Sequence, residues 1–152
     1  MIEGVIVRSL AKHSDSRGWL SEFFRADELD ASLMPVMSYM SMTKPGVARG
    51  PHEHIHQTDL FCFVGPSTFK IYLWDNRKGS KTHGEKMTLT AGEGEPKAVI
   101  VPPGVVHAYK NVGTMDGLAF NGPNKLYKGP GKTEDVDEIR HEDIKDSPYL
   151  LD

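Results

Sequence analysis

The sequence predicts an all-β protein, built as an antiparallel sandwich or barrel of the jelly-roll kind. Three observations favour this fold class: short strand-like runs recur along the chain, turn-forming residues separate them, and amphipathic helical patterns are nearly absent. The 15 glycines and 10 prolines are distributed along the chain rather than gathered in one linker, as expected for many short strands joined by turns. The length of 152 residues suits one domain with its own core, so we expect residues 1–152 to form a single domain.

The predicted strands follow one another with turn signals between them. They cover residues 4–8, 19–24, 60–64, 69–74, 86–89 and 98–101. In the fourth run, alternation places Phe69, Ile71 and Leu73 on one face and the intervening residues on the other. Turn signals lie at residues 15–18, 44–46, 65–67, 76–80 and 102–104. Short helical segments are predicted only over residues 25–33 and 133–144, the second with Thr133 as a candidate cap.

Charge and composition exclude several classes of function. Lysine and arginine number 18 and aspartate and glutamate 21, a formal net charge of −3 at pH 7, so no large basic field is available for nucleic acid. No apolar run approaches the roughly 20 residues of a membrane span, and Glu3 stands where a secretion signal would carry a basic residue. We therefore expect no membrane partner and a cytoplasmic location. Cys62 is the only cysteine, so an intramolecular disulfide is impossible.

Three of the seven histidines lie within five residues, at His52, His54 and His56. Alternate side chains of a regular strand point the same way, so these imidazoles would share one face. Imidazoles arranged in this way can bind one metal ion or one substrate. A fourth histidine, His107, follows the turn at residues 102–104 on a further predicted strand. The sequence therefore predicts a site to which two strands contribute.

The two histidine segments resemble the two motifs of the cupin family. The first runs from Gly46 through His52-x-His54 to Asp59, where the motif usually has glutamate, and ends at Gly65. The second is Pro102-x-Gly104-x-x-His107-x-x-x-Asn111. This resemblance implies a cupin jelly-roll β-barrel, also called a double-stranded β-helix, with short helical segments and a site inside its open end.

Four segments, in order, also resemble the dTDP-4-dehydrorhamnose 3,5-epimerase family. They are DSRGWLSEF at residues 15–23, RGPH at residues 49–52, WDNRKGSKTHG at residues 74–84 and VPPGVVHAY at residues 101–109. The resemblance implies a homodimeric isomerase that acts, without a cofactor, on a nucleotide-activated 4-keto-6-deoxy sugar. The reaction would begin by removal of a proton next to the ketone, a step that suits the near-neutral pKa of histidine.

The same resemblance assigns roles to individual residues. The implied catalytic residues are His52 as base, His54 as second proton carrier, Asp146 as the carboxylate that orients His52, and His107 as donor to the enolate oxygen. The implied substrate-binding residues are Arg17, Glu22, Arg49 and Tyr109. The two arginines would hold the nucleotide diphosphate, because a guanidinium can grip phosphate oxygens with two hydrogen bonds.

The chain departs from the epimerase pattern at three positions. An ungapped count from the histidine of the second motif places Phe120, which cannot donate a proton, where the family has its acid tyrosine. Tyr109 and Tyr127 are the nearby phenols. Asp59 falls near a lysine of the family site, and Met37 falls near a glutamine that contacts the nucleotide.

Three alternatives stay open. Residues 49–54, RGPHEH, resemble the Arg-Gly-x-His-x-His stretch of dTDP-4-keto-6-deoxyglucose 3,4-ketoisomerases, in which two histidines move protons between neighbouring carbons without an acid tyrosine. That reaction, or epimerisation at a single centre, would explain Phe120. A second alternative is a metal-binding cupin enzyme, with a divalent ion bound by His52, His54, Asp59 and His107. The third is a non-catalytic protein that binds a sugar nucleotide.

Overall fold

Two five-stranded antiparallel sheets face each other in the computed structural model, which describes residues 1–152. The first sheet contains β1 (Ile6–Ser9), β4 (Tyr39–Thr43), β6 (Asp59–Phe63), β9 (Lys97–Val101) and β11 (Gly117–Asn121), in the order β1-β9-β6-β11-β4. The second contains β5 (Ala48–Glu53), β7 (Thr68–Asp75), β8 (Lys86–Gly92), β10 (Val105–Asn111) and β12 (Ile139–Arg140), in the order β12-β5-β10-β7-β8. A separate hairpin pairs β2 (His13–Asp15) with β3 (Gly18–Leu20). The prediction of an all-β jelly roll is confirmed.

The apolar core lies between the sheets. Phe69, Ile71 and Leu73 of β7 all belong to it, as their alternation predicts. Tyr109 meets Phe69 edge to face with 5.6 Å between ring centroids, a geometry that adds about 0.5–1.5 kcal/mol to the free energy of area burial. Phe61 and Tyr109 belong to this core and also line the cavity at the open end of the sandwich. The core therefore forms the floor of that cavity.

The C-terminal tail packs on the outer face of the second sheet. The Tyr149 ring lies 5.6 Å from that of Trp74 and 4.6 Å from that of His141, centroid to centroid. Nearer the C-terminus, Lys70 Nζ forms an ion pair of 2.7 Å with Asp152. These contacts fix the end of the chain against the second sheet.

Helical structure is limited to three 3-10 helices, Ala31–Leu33, Pro130–Lys132 and His141–Asp143. The first lies inside the predicted segment 25–33. The second predicted segment, residues 133–144, contains the 3-10 helix His141–Asp143, but Ile139 and Arg140 just before it pair with β5 as a strand. None of the helices has the length and apolarity that a membrane crossing requires.

Candidate active site

His52 and His107 lie opposite each other on two neighbouring strands. They are register partners in the antiparallel pairing of β5 and β10, and their rings meet edge to face with 4.4 Å between centroids. Gly50 permits this close approach, since its φ is +79° and a Cβ there would lie 2.6 Å from the His107 carbonyl oxygen. The glycine of the RGPH segment is therefore a steric requirement of the pairing that presents His52.

His54 completes a cluster of three imidazoles. Its ring centroid lies 5.7 Å from that of His52 and 5.8 Å from that of His107. The expected single strand face is only partly present, because β5 ends at Glu53 and His54 follows in the loop. His56 lies farther along this loop, exposed at the wall of the cavity.

Asp59 faces the histidine cluster from the opposite sheet, at the start of β6. Its Oδ2 lies 3.1 Å from His54 Nε2 and 3.4 Å from His107 Nε2. Its Oδ1 accepts hydrogen bonds of 2.9 Å from Gln57 Nε2 and from Asn121 Nδ2. The side chain is 1% exposed, so this carboxylate depends on its hydrogen bonds to remain ionised.

Charge is distributed unevenly over the cluster. Burial by itself would lower the pKa of His54, but the hydrogen bond and charge of Asp59 raise it to about 9. Burial and the nearby His107 and His54 lower the pKa of His52 to about 2. Burial disfavours the ionised form of Asp59, yet the neighbouring His107 and His54 hold its pKa well below the usual range. At neutral pH the cluster therefore contains a charged His54–Asp59 pair beside a neutral His52.

His107 supports the cluster from behind. Its side chain is 4% exposed, and its Nδ1 donates to the Val105 carbonyl oxygen at 3.0 Å. Its Nε2 is buried and makes no hydrogen bond of good geometry, despite the 3.4 Å separation from Asp59. The ring packs on His52 and does not line the cavity. This position argues against the expected donation from His107 to an enolate oxygen.

Two acidic residues just before β12 reach the cluster. Glu138 Oε1 lies 3.9 Å from His52 Nε2. The Asp137 carbonyl oxygen accepts a hydrogen bond from His54 Nδ1. The Asp137 carboxylate accepts three backbone N–H bonds of 2.8 to 2.9 Å, from Ile55, His56 and Gln57. The segment before β12 therefore positions both His54 and the loop that carries it.

The expected pairing of Asp146 with His52 is corrected by the structure. Asp146 is exposed on the C-terminal tail, with φ +63°, and forms neither a hydrogen bond nor an ion pair with His52. The tail crosses the open end earlier in its course, so the nearby carboxylate is that of Glu138. The run of acidic residues was visible in the sequence, but the choice between its members depends on the path of the tail.

A cavity of about 1620 Å³ opens beside the cluster. His52 and His54 line it, as do three phenols, those of Tyr39, Tyr109 and Tyr127. The guanidinium of Arg49 also lines the cavity. β4 steadies that guanidinium through Thr43 Oγ1, which accepts from Nε at 3.0 Å, and the Met42 carbonyl oxygen, which accepts from Nη2 at 2.8 Å.

Arg17 and Glu22 do not line this cavity. The Arg17 side chain, in the β2–β3 hairpin, is 88% exposed and forms an ion pair of 2.6 Å with Asp15. Glu22 lies 3.7 Å from Arg25. The nucleotide contacts expected of Arg17 and Glu22 are therefore not made by the cavity of their own protomer.

The residue of β11 that faces the site is Asn121 rather than Phe120. Alternation along β11 directs Ala119 and Asn121 inward. Phe120 points outward and packs against Phe23 with 4.8 Å between ring centroids. The ungapped count therefore falls one residue away from the inward face, and the loss of a phenol at Phe120 says nothing about the cavity.

The three clustered histidines could also hold a metal ion. Each offers one ring nitrogen, and the candidate ligand atoms of His52, His54 and His107 lie within 4.8 Å of one another. The unpartnered Nε2 of His107 suits a ligand, and Asp59 could add a carboxylate. His54 does not fit as it stands, because it would have to release the proton that pairs it with Asp59.

Two known proteins are similar to the chain over most of its length. One is a Haloferax volcanii protein named "Probable low-salt glycan biosynthesis epimerase Agl13", 40% identical over 141 residues that cover 91% of this chain and 86% of that protein. The other is the Bacillus subtilis "Spore coat polysaccharide biosynthesis protein SpsL", 39% identical over 115 residues, 74% of each chain.

A solved structure has a similar fold, and a family model matches the sequence. A dTDP sugar isomerase from Desulfovibrio desulfuricans superposes with a TM-score of 0.82 at 22% identity, over 97% of this chain and 88% of that one, which supports the fold. The model of the family described as dTDP-4-dehydrorhamnose 3,5-epimerase matches residues 1–124. The chain therefore belongs to the dTDP-4-dehydrorhamnose 3,5-epimerase family.

Proposed function

We propose that the protein is an epimerase of a nucleotide-activated, dTDP-type 4-keto-6-deoxy sugar, in the biosynthesis of a surface polysaccharide or a glycan. Family membership and the similarity to the glycan and spore-coat proteins support this substrate class. One observation carries the proposal: His52 lines the cavity as a neutral imidazole, and neither of its ring nitrogens makes a hydrogen bond. A general base needs a free lone pair at the cavity wall and a protonated form that is stabilised once it has formed, and Glu138 would supply the second requirement.

In the proposed first step, His52 removes the proton from a carbon next to the ketone. The electrons of the broken C–H bond form a C=C bond, and the carbonyl π electrons move to the oxygen, which gives an enolate. Protonated His52 then carries a positive charge 3.9 Å from Glu138 Oε1, which favours the charged form. Glu138 therefore takes the orienting role that the resemblance gave to Asp146.

His54 would stabilise the enolate through its charge. Both of its ring nitrogens are occupied, Nδ1 by the Asp137 carbonyl oxygen and Nε2 by Asp59. An imidazolium held in this way is a poor proton carrier, since either proton would have to leave a buried acceptor. It supplies fixed positive charge beside the cavity, which lowers the energy of a developing oxyanion. We therefore assign His54 to charge stabilisation and His107 to support of the His52 ring.

The nucleotide diphosphate would lie against Arg49, the arginine of the resemblance that lines the cavity. Arg17 and Glu22 stand outside the cavity of their own protomer. We propose that the protein is a homodimer in which the β2–β3 hairpin of one protomer places these two residues at the cavity of the other. The half-exposed Trp19 and exposed Leu20 on this hairpin support a contact with another chain.

The proposal needs neither a metal nor an organic cofactor, because the positive charge at the cavity is supplied by His54. Proton NMR of dTDP-4-keto-6-deoxyglucose in D₂O with metal-stripped protein tests this. We expect loss of the signal at carbon 3, carbon 5 or both. Exchange at one carbon indicates a single-centre epimerase, and exchange at both carbons indicates a double epimerase. A product whose ketone has shifted from carbon 4 to carbon 3 indicates a 3,4-ketoisomerase.

Two outcomes would contradict the proposal. Exchange that appears only after Zn²⁺, Mn²⁺, Fe²⁺ or Ni²⁺ is restored would favour the metal-binding cupin, whose candidate ligands are already clustered. No exchange above the protein-free control, with or without metal, but retained binding of dTDP, would leave a non-catalytic sugar-nucleotide-binding protein.

A further inference from the structure

Inversion of a carbon centre needs two groups, one on each face of the sugar. The base removes a proton from one face, and an acid must deliver a proton to the other face. His52 lies on β5, in the second sheet. The acid must therefore reach the cavity from elsewhere, and the phenols that line it are those of Tyr39, Tyr109 and Tyr127.

Tyr109 is poorly placed to act as the acid. Tyr109 Oη lies 2.8 Å from Ser41 Oγ, and Ser41 Oγ donates to the Ala119 carbonyl oxygen at 3.5 Å. The Tyr109 hydroxyl is therefore engaged with Ser41 rather than directed into the cavity. Tyr109 is also 5% exposed and packed in the aromatic core, and it lies on the same sheet as His52. It therefore cannot serve as an acid on the opposite face.

The hydroxyl proton of Tyr39 is free. Asn121 Nδ2 is 2.9 Å from Asp59 Oδ1 and 2.8 Å from Tyr39 Oη. A carboxylate can only accept, so the amide nitrogen, with its two protons, must face Asp59, and its second proton goes to the phenol oxygen. Tyr39 Oη is thus an acceptor in its one hydrogen bond within the chain, and its own proton remains available to the cavity.

Tyr39 also reaches the cavity from the correct side. It lies on β4 in the first sheet, whereas His52 lies on β5 in the second, and both line the same cavity. A sugar ring between the sheets would present one face to each. Burial raises the pKa of Tyr39 to about 12, so the phenol stays protonated at neutral pH.

We propose that Tyr39 is the catalytic acid that protonates the enolate on the face opposite His52. The Tyr39 O–H bond breaks and its proton forms the new C–H bond, while the enolate electrons supply that bond and the oxygen lone pair restores the C=O bond. The phenolate left on Tyr39 accepts the hydrogen bond from Asn121 Nδ2. Water then returns the proton held by His52 to Tyr39, so the cycle closes without another reactant.

Tyr39→Phe tests this inference, which rests on the proposed epimerase function. In D₂O we expect the inverted product to fall by about 100-fold or more. His52 can still remove and return a proton on its own face, so the substrate should still gain deuterium, with its configuration retained, at a rate within about threefold of the unaltered protein. A merely structural residue would lower both rates together. Tyr149→Phe, on the outer face of the second sheet, is the matched control and should change neither rate.

Each other outcome overturns the inference. If Tyr39→Phe forms the inverted product at the normal rate, Tyr39 is not the acid. If Tyr127→Phe loses inversion instead, the acid is Tyr127. Loss of deuterium uptake in a Tyr39→Phe protein that folds and binds dTDP normally would place Tyr39 in the deprotonation step. A failure of the unaltered protein to exchange any proton would be a failure of the proposed function, and it is seen before the variant is made.

Discussion

At the scale of single residues, the site depends on one proton held between His54 and Asp59. The pKa of His54 is raised to about 9, so this imidazole is charged below that pH and neutral above it. If its charge stabilises the enolate, kcat should stay level through neutral pH and fall as pH rises through about 9. A pH–rate profile of the deuterium exchange would measure this limb, and a profile that stays level to pH 10 would contradict the role of His54.

Asp59→Asn tests whether deprotonation of His54 causes the loss of activity near pH 9. It keeps the shape of the side chain but removes the charge that opposes desolvation of His54, so the pKa of His54 should fall below its ordinary value. The alkaline limb should then move below neutral pH. Because His54 becomes neutral, the free energy of unfolding should drop by about 1–3 kcal/mol, the cost of the hydrogen bonding lost with the carboxylate. An unmoved limb would show that another group titrates near pH 9.

The sequence predicts the histidines of the site well and its other members poorly. The spacing of His52 and His54 and the turn before His107 follow from strand and turn geometry, and all three meet in the structure. Glu138 and Tyr39 were not singled out. The first depends on the path of the tail across the open end, and the second on the pleat of β4, neither of which local patterns determine.

At the scale of elements, the segment before β12 holds the loop that carries His54. The Asp137 carboxylate accepts three backbone N–H bonds from residues 55–57. Asp137→Ala would leave these donors unsatisfied and should lower the free energy of unfolding by about 1–3 kcal/mol, measured by urea denaturation. Amide hydrogen exchange should show faster exchange at residues 55–57.

Asp135→Ala is the matched control for Asp137→Ala, because Asp135 is an exposed carboxylate two residues away. It should change neither the unfolding free energy nor the exchange of residues 55–57. Equal effects of the two substitutions would mean that total charge, rather than the three hydrogen bonds, steadies the loop.

Except for the exposed β3, the strands that the sequence predicts carry apolar residues that pack on the core. The six predicted runs correspond to β1, β3, β6, β7, β8 and β9, with boundaries that shift by a few residues. β2, β4, β11 and β12 are not among the predicted strands. On β4 the inward residues Tyr39, Ser41 and Thr43 are polar, because they face the site, and the methionines point outward. β11 contains glycine and alanine, which are weak strand signals.

At the scale of the whole molecule, the location of Arg17 and Glu22 outside the cavity predicts a functional dimer. Mixing subunits that carry His52→Asn with subunits that carry Arg17→Ala should restore activity at low substrate concentration. In a mixed dimer, the cavity with an intact His52 receives the hairpin with an intact Arg17. Equal mixing should give about a quarter of the normal activity, since half of the dimers are mixed and each has one complete site.

The control for this experiment is each variant alone at the same total concentration, with the oligomeric state measured by sedimentation. A single species of one chain, 16.9 kDa, or a mixture no more active than the sum of its parts, would mean that each cavity works without a hairpin from a second protomer. The nucleotide would then be bound within one protomer, by Arg49 and other residues of the rim.

The most direct test of the account is the rate of deuterium uptake by dTDP-4-keto-6-deoxyglucose in D₂O, compared between the unaltered protein and His52→Asn, both stripped of metal. If His52 is the base, the rate should fall by about 10²- to 10⁴-fold, the usual contribution of a general base, with dTDP affinity nearly unchanged. An exchange rate unaffected by the substitution would contradict this assignment, because His52 would then not be the base.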